Sequence, residues 1–548
     1  KFNWLNDSCR SNTKSNVISS IDVNGEIYNY IYNPVEITSG DGQVEDIAYA
    51  LIEAKPPDGP SWAYNYESDG ILPDGEIKSV RYPSGGVVEY AFDTFTQDPQ
   101  QHIDSFSNTI PLKTRAITSR KASGPSITTG TWTYSYGVIE NKNSTTINEP
   151  CGNKVIYKFH GALESSYIGD WAISLLDEKQ VYDFNNNLIQ LEKNTWNPYQ
   201  MSANANRIDQ GFFFPLIASK TISRDGNDYV TNFTYNTFYA ALTKIEERGE
   251  LTRTTNISYF ENTSSGSYIV GKPLATTLTD GVETKTLANS YDAKGNLISE
   301  DKYGVRTEFS YLPDGNLAWE KNARGFYTHF DQYSFGTAGR IRYGSSDTSG
   351  SDPIYSETRT INWEGTIGSL TNGRGYQTSF SYDGISRLTE VTPPPSGEAG
   401  TLITYDDIGG RSYKIRKGIS EVQYNLDGLG RPIGIQSNVG VFTEKKYDQC
   451  GRRIYESLPF SFDGSTPNTG DSFTYDSLDR ITKIARTDSS SINYSYSSNN
   501  VTISDERNIN TTFNFRSFGD PEDKRLIGIG DPQNNITSYA YDLLGNIV

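Results

Sequence analysis

Apolar and polar side chains alternate along residues 372–387, NGRGYQTSFSYDGISR, where Thr378, Phe380 and Tyr382 stand two apart with Ser379 and Ser381 between them. A period of two places all three on one face of an extended chain, so the stretch predicts a strand. The same order returns along the chain. Gly304, Thr307, Phe309 and Tyr311 match Gly375, Thr378, Phe380 and Tyr382 position for position, as do Asn508, Thr511, Phe513 and Phe515, and then Asn534, Thr537, Tyr539 and Tyr541. Self-similarity of this kind marks a repeat architecture and governs every local reading.

The positions between the strands predict turns. Four residues after the Tyr stands Gly295, Gly315, Gly430, Gly451, Gly519 or Gly545, and elsewhere Asn186, Asp479 or Ser386. Gly, Asn and Asp tolerate positive φ best, so the slot predicts a left-handed turn residue, with Ser386 the poorest fit. The Asp after the Tyr, as in Asp183, Asp292, Asp383, Asp448, Asp476 and Asp542, is placed to accept hydrogen bonds from the turn amides, as in an Asx-turn. It reads as a turn brace rather than an acid catalyst. A second turn slot precedes the strand at Gly304, Gly375, Asn508 and Asn534, so each unit is a hairpin in a continuing meander. Tyr291 to Tyr311, and Leu426 to Tyr447, are about 20 residues apart, the length of two strands of about five to seven residues with short turns. Wider spacings leave room for loop insertions such as residues 460–470.

Before residue 290 the pattern thins. Tyr182-Asp183-Phe-Asn-Asn-Asn-Leu and Tyr82-Pro-Ser-Gly-Gly-Val-Val-Glu-Tyr90 read as degenerate units. Aromatic, alternating stretches such as Glu26-Ile-Tyr-Asn-Tyr-Ile-Tyr, Thr131-Trp-Thr-Tyr-Ser-Tyr and Tyr229-Val-Thr-Asn-Phe-Thr-Tyr predict further strands. Residues 44–54 predict a short helix, ended by Pro56-Pro57. The expected division is an irregular β-rich part, 1–289, and a regular hairpin region, 290–548.

With this pattern laid out, the units resemble the YD repeats of the Rhs family, which includes bacterial Rhs proteins, Tc insecticidal toxin shell subunits and teneurins. The family pattern is roughly Gly-x-x-Thr-x-Tyr-x-Tyr-Asp-x-x-Gly-Arg-Leu, matched here from residue 290 to 548. The resemblance implies an all-β fold in which hairpins form one long coiled sheet, a hollow shell or part of one. It further implies a secreted or cell-surface, non-catalytic scaffold that encloses a C-terminal toxic polypeptide or packs against other shell segments. Family shells end in a core segment with an Asp-Pro-x-Gly-like motif and an aspartate-dependent self-cleavage site. Asp531-Pro532 belongs to a repeat turn and does not fill that role, so no protease or toxin activity carries over, and the chain reads as part of something longer.

Composition narrows the chemistry. A formal charge of −18 and a pI near 4.8 repel nucleic acid, and no apolar run is long enough to span a membrane. The chain opens on Lys1 and has Met201 as its single methionine, so Lys1 is not expected to be a translation start, and any signal peptide is expected to be removed already or to lie outside this sequence. A nucleophilic triad needs histidine, and His102, His160 and His329 stand beside no Ser or Cys motif; His329, within a repeat strand, reads as a sheet-surface residue. For Cys9, Cys151 and Cys450 the expectations are three free thiols or a bridge between Cys9 and Cys151. Asp183-Phe-Asn-Asn-Asn starts like a calcium loop but has Leu188 where Gly is needed and Asn194 where an acid is needed, so no metal or cofactor is expected. Trp132, Trp171, Trp196, Trp319 and Trp363 lie in or beside predicted strands and are either packed in the fold or free to stack on sugar rings. Two alternatives to the scaffold therefore stand. One is a cell-surface adhesin or carbohydrate-binding protein that recognises a glycan or receptor. The other is a polysaccharide-cleaving enzyme that would need two carboxylates across a cleft.

Overall fold

A computed structural model describes residues 2–4, 17–23, 25–38, 44–67, 76–96, 113–161, 170–200, 213–237, 239–264, 268–395, 397–461, 469–497, 499–533 and 535–548. The strands from Phe2–Trp4 to Ile536–Ser538 form one antiparallel sheet that does not close into a barrel, and no α-helix occurs among the described residues. Nearly every strand pairs with its neighbours in sequence, which makes the sheet a single meandering ribbon. The ribbon is continuous across residue 290, because Thr284–Tyr291 pairs with Ile269–Thr279 on one side and Leu297–Lys302 on the other. It is irregular at the insertion. Val441–Tyr447 pairs both with Arg453–Ser457 and with the short strand Phe460–Ser461, and residues 462–468 lie outside the described residues.

One element differs in kind from its expectation. Residues 44–54 are not helical: Val44–Lys55 is a strand paired along its length with Glu26–Thr38. Helix propensity is a weak preference, and pairing with a 13-residue neighbour overrides it.

The ribbon has little core. Its accessible surface is 31400 Å², whereas a compact globule of 61.0 kDa would expose about 20,000 Å². Buried apolar side chains such as Val88, Ile222, Tyr229 and Phe518 are scattered along it rather than gathered in one centre. A single sheet layer with solvent on both sides has this signature.

Candidate functional site at the seam between two coils

Within each unit the Tyr-Asp turn is built as the sequence implies. Asp448 Oδ1 accepts the amides of Cys450 and Arg452 at 2.9 and 2.8 Å, and Asp292, Asp383, Asp476 and Asp542 do the same two and four residues ahead. The second oxygen takes a side chain four residues on, Arg452 Nε at 2.8 Å from Asp448 or Asn546 Nδ2 at 2.9 Å from Asp542. Gly295, Gly315, Gly430, Gly451 and Gly545 all have φ between 79° and 92°, and Asn186, Asp479 and Ser386 share the left-handed conformation. Gly304, Gly375 and Asn508 are left-handed too, while Asn534 lies outside the described residues. At the Asp183 turn both carboxylate oxygens are occupied by Asn185 and Asn187, which explains the calcium-like sequence without an ion.

Gly519 departs from this pattern, since it is absent from the left-handed residues. Its turn is longer, with Phe515 opposite Leu526, and what the position requires is room: an added Cβ would collide with Thr231 and come within 3.0 Å of the Val230 carbonyl.

The repeat aromatics Phe309, Phe380 and Phe513 are half-buried along the strands, and Tyr539 is half-buried just past the end of Ile536–Ser538. The Tyr-slot side chains do something the sequence did not reveal. A β-bulge stands at most of the repeat turns, at Tyr291, Ile361, Tyr447 and Phe515 among them, and the next Tyr reaches back to the bulge carbonyl: Tyr311 to Leu297 O at 2.9 Å, Tyr382 to Ile367 O at 3.0 Å, Tyr475 to Arg453 O at 2.6 Å, Tyr541 to Leu526 O at 2.6 Å. A bulge disrupts the ladder locally, and these hydroxyls satisfy the oxygen it displaces. The Arg of the brace then lies on the next Tyr ring, Arg452 on Tyr475 at 5.0 Å and Arg480 on Tyr496 at 4.3 Å. Burial pushes the Tyr311 and Tyr475 hydroxyls above the usual tyrosine range. The only sequence signal was that a half-buried Tyr needs a partner for its hydroxyl.

The functional surface emerges where the ribbon meets itself. Turns alternate between its two long edges, and the Tyr-Asp edge of residues 384–543 lies on the opposite edge of residues 28–283. Tyr28 donates to Gly384 O at 2.8 Å, Gly86 N to Gly428 O at 2.7 Å, and Gly428 N to Pro125 O at 2.8 Å. Farther along, Arg480 pairs with Asp225 at 3.0 Å, Tyr229 donates to Asn499 Oδ1 at 2.8 Å, and Leu543 N donates to Glu283 Oε2 at 2.9 Å. Both partners advance in the same direction, so the ribbon has come round once and the second coil docks on the first turn by turn. The ribbon therefore meets itself edge to edge, through turns and not through strands adding to a ladder.

Glycines at this seam are chosen for closeness. A Cβ on Gly428 would lie 2.9 Å from Gly86 Cα, and one on Gly86 would overlap the Gly428 carbonyl. The seam is also stapled. Cys151, in the turn at 149–153, is bonded to Cys450 in the turn at 448–452, with Cα atoms 6.0 Å apart. The expectation of a Cys9–Cys151 bridge or of free thiols is thus corrected; Cys9 lies outside the described residues. Coiling brings together cysteines separated by 299 positions, which no local reading of sequence can do. Glu149 has a carboxylate within 4.8 Å of both sulfurs, but with the sulfurs bonded to each other no ligand set is left.

The remaining sequence candidates are dispersed along the ribbon. His329 is buried, 4% exposed, and not on the sheet surface: the loop after its neighbouring strand folds over it, and Asp347 O lies 3.0 Å from Nε2. His160 lies 3.7 Å from Asp177, and His102 is outside the described residues. Trp132, Trp171, Trp196 and Trp319 are half-buried, Trp132 beneath Arg120 and Trp196 donating to Leu176 O; Trp363 is exposed at 40%.

No protein-family model and no curated protein matches this chain. Solved structures do. The fold is similar to that in the crystal structure of TcdB2-TccC3, with a TM-score of 0.61 at 8% identity over 95% of this chain and 40% of that one. A crystal structure of TcdB2-TccC3-TEV superposes with a TM-score of 0.45 at 12% identity over 95% of this chain and 26% of that one. The likeness is one of fold, and this chain spans about two fifths of the length of TcdB2-TccC3.

Proposed function

We propose that this chain is a non-catalytic wall segment of an exported Rhs-type shell that encloses a polypeptide cargo. The observation that carries the reading is the seam. Turn-on-turn docking from Tyr28 and Gly384 to Glu283 and Leu543 joins successive coils laterally, turning a ribbon into a continuous wall. The surface excess over a globule fits a wall with two wetted faces, and the fold shared with TcdB2-TccC3 fits a Tc-type shell. The Thr, aromatic, Tyr-Asp and Gly positions of the repeat are all used by strand, brace or turn, which leaves no surplus constellation for catalysis. In the intact protein, a cargo polypeptide should resist protease and become digestible once the wall is opened by denaturant. Equal digestion in both states would defeat enclosure.

A second reading, glycan binding, is favoured by one feature. A cavity of about 410 Å³ opens beside the seam, lined by Tyr28, Tyr30, Trp62, Pro60 and Arg387, with Trp62 36% exposed. Binding to a glycan array that is abolished by Trp62→Ala would move the function to adhesion.

A further inference from the structure

The seam is not bonded evenly. At one end it is closed by backbone hydrogen bonds between Gly86, Gly428 and Pro125, and farther along by ion pairs, Arg480 with Asp225, Arg224 with Glu522 and Arg253 with Asp523. Between these two stretches, among the described residues, no ion pair crosses it. Three hydrogen bonds do: Thr128 to Tyr447 O at 2.7 Å, Asn153 to Ser477 O at 3.4 Å, and Gln449 to Pro150 O. The disulfide stands in this stretch without ion pairs, in two turns and only half-buried.

We propose that the Cys151–Cys450 disulfide is a redox latch: oxidised, it holds the two coils together along the stretch that no ion pair crosses, and a dithiol reductant opens the seam locally while the flanking stretches stay shut. The chemistry is thiol–disulfide exchange. A thiolate of the reductant attacks one sulfur, the bond to the other sulfur breaks, and that sulfur leaves as a thiolate. The reductant's second thiol then displaces the first cysteine and closes the reductant's own disulfide, so two electrons and two protons pass to the protein. Position makes this bond suited to switching, because it joins segments from different coils. The sheet ladders on either side, Lys142–Asn148 with Lys154–Phe159 and Val441–Tyr447 with Arg453–Ser457, are independent of it.

The test uses the whole protein with and without dithiothreitol under native conditions. Peptide mapping of the oxidised form should show the Cys151–Cys450 link. After reduction both thiols should take up iodoacetamide, and amide exchange in the seam turns 126–129, 149–153 and 447–452 should rise at least tenfold, while the ladder amides of Lys142–Asn148 and Arg453–Ser457 keep their rates. Peptides covering 224–253 and 517–523 should keep their rates, and reoxidation should restore the first set. Three results would overturn the latch: thiols that stay unreduced in the native protein, reduction with no change in exchange, or exchange that rises everywhere because the fold is lost. The doubly substituted Cys151→Ser/Cys450→Ser protein should behave like the reduced form; if it fails to fold, the reduced wild-type chain still decides between these outcomes.

Discussion

The two coils are made from the same ribbon but play opposite parts at the seam. The first has long strands, 13 residues in Glu26–Thr38 and in Leu188–Gln200, and it meets its partner with Gly and Pro, at Pro60, Pro83, Gly86 and Pro125. The second has short strands, 6 residues in Gln377–Tyr382 and 5 in Ile481–Ala485, and turns locked by Asp and Arg. One coil offers sockets, the other plugs. A plug must hold one shape to fit, which demands the brace, the left-handed residue and the bulge together. A socket needs only a small residue, or one polar group in reach such as Asp225 or Glu283, which many sequences satisfy. The repeat is therefore regular where turns are inserted and degenerate where they are received.

The largest expected effect comes from filling a socket. Gly86→Val should cost about 3 kcal/mol or more, because its Cβ meets a backbone carbonyl that cannot move without unseating the turn at 427–431. Gly430, two residues beyond the contact, has φ of 79° and open space around it, so Gly430→Val should cost about 1–2 kcal/mol through backbone strain alone. Chemical denaturation of both variants checks the order. Equal costs would mean that the seam does not close as described.

A smaller effect is expected from the hydroxyl ladder. Tyr475→Phe keeps the ring under Arg452 but leaves the Arg453 carbonyl at its bulge without a donor, which should cost about 1 kcal/mol. The loss should be confined to the second coil, with exchange rising in Arg453–Ser457 and not in the first-coil strands. No change in stability would show that water replaces the hydroxyl freely.

What the sequence made legible follows from range. Period-two alternation, the Asp brace and the left-handed Gly act within one hairpin, and the positions of Asp292, Gly295, Asp448, Gly451 and Gly545 could be read without a fold. The hydroxyl ladder links adjacent units and was half legible, as a Tyr whose ring was placed and whose hydroxyl was not. The seam links residues hundreds of positions apart. Gly384 and Gly428 directly follow their Tyr/Leu-Asp pairs, a place where the turn itself makes no demand for Gly, and that surplus was the one available hint of close approach. Cys450 looked like a turn residue because it is one; its partner could be found only after coiling. The strand at Val44–Lys55 and the covering of His329 were missed because each depends on a neighbour the local pattern does not name.

The smallest effect, and the one that separates turn chemistry from coil position, is acid sensitivity. The carboxyls of Asp531 and Asp542 are held below the usual carboxylate range by the side-chain amides of Asn535 and Asn546 and by the backbone amides of their turns; Asp505 is lowered chiefly by the amide of Ile509. A folded pKa below the unfolded one contributes stability that is present above the unfolded value, near 3.9, and is lost as pH falls through the folded value. These turns should therefore be unchanged at neutral pH and begin to loosen below about pH 4. All three stand in the second coil. Asp183 is a first-coil turn of the same design, lowered by Asn187, so it should loosen with them although the strands around it belong to the other coil. Amide exchange measured from pH 6 down to pH 3, corrected for intrinsic rates, should show Asn187, Ile509, Asn535 and Asn546 losing protection together. The ladder amides of Leu188–Gln200 should keep theirs. Loss spread evenly over the first coil would mean that the acid response does not come from the braces.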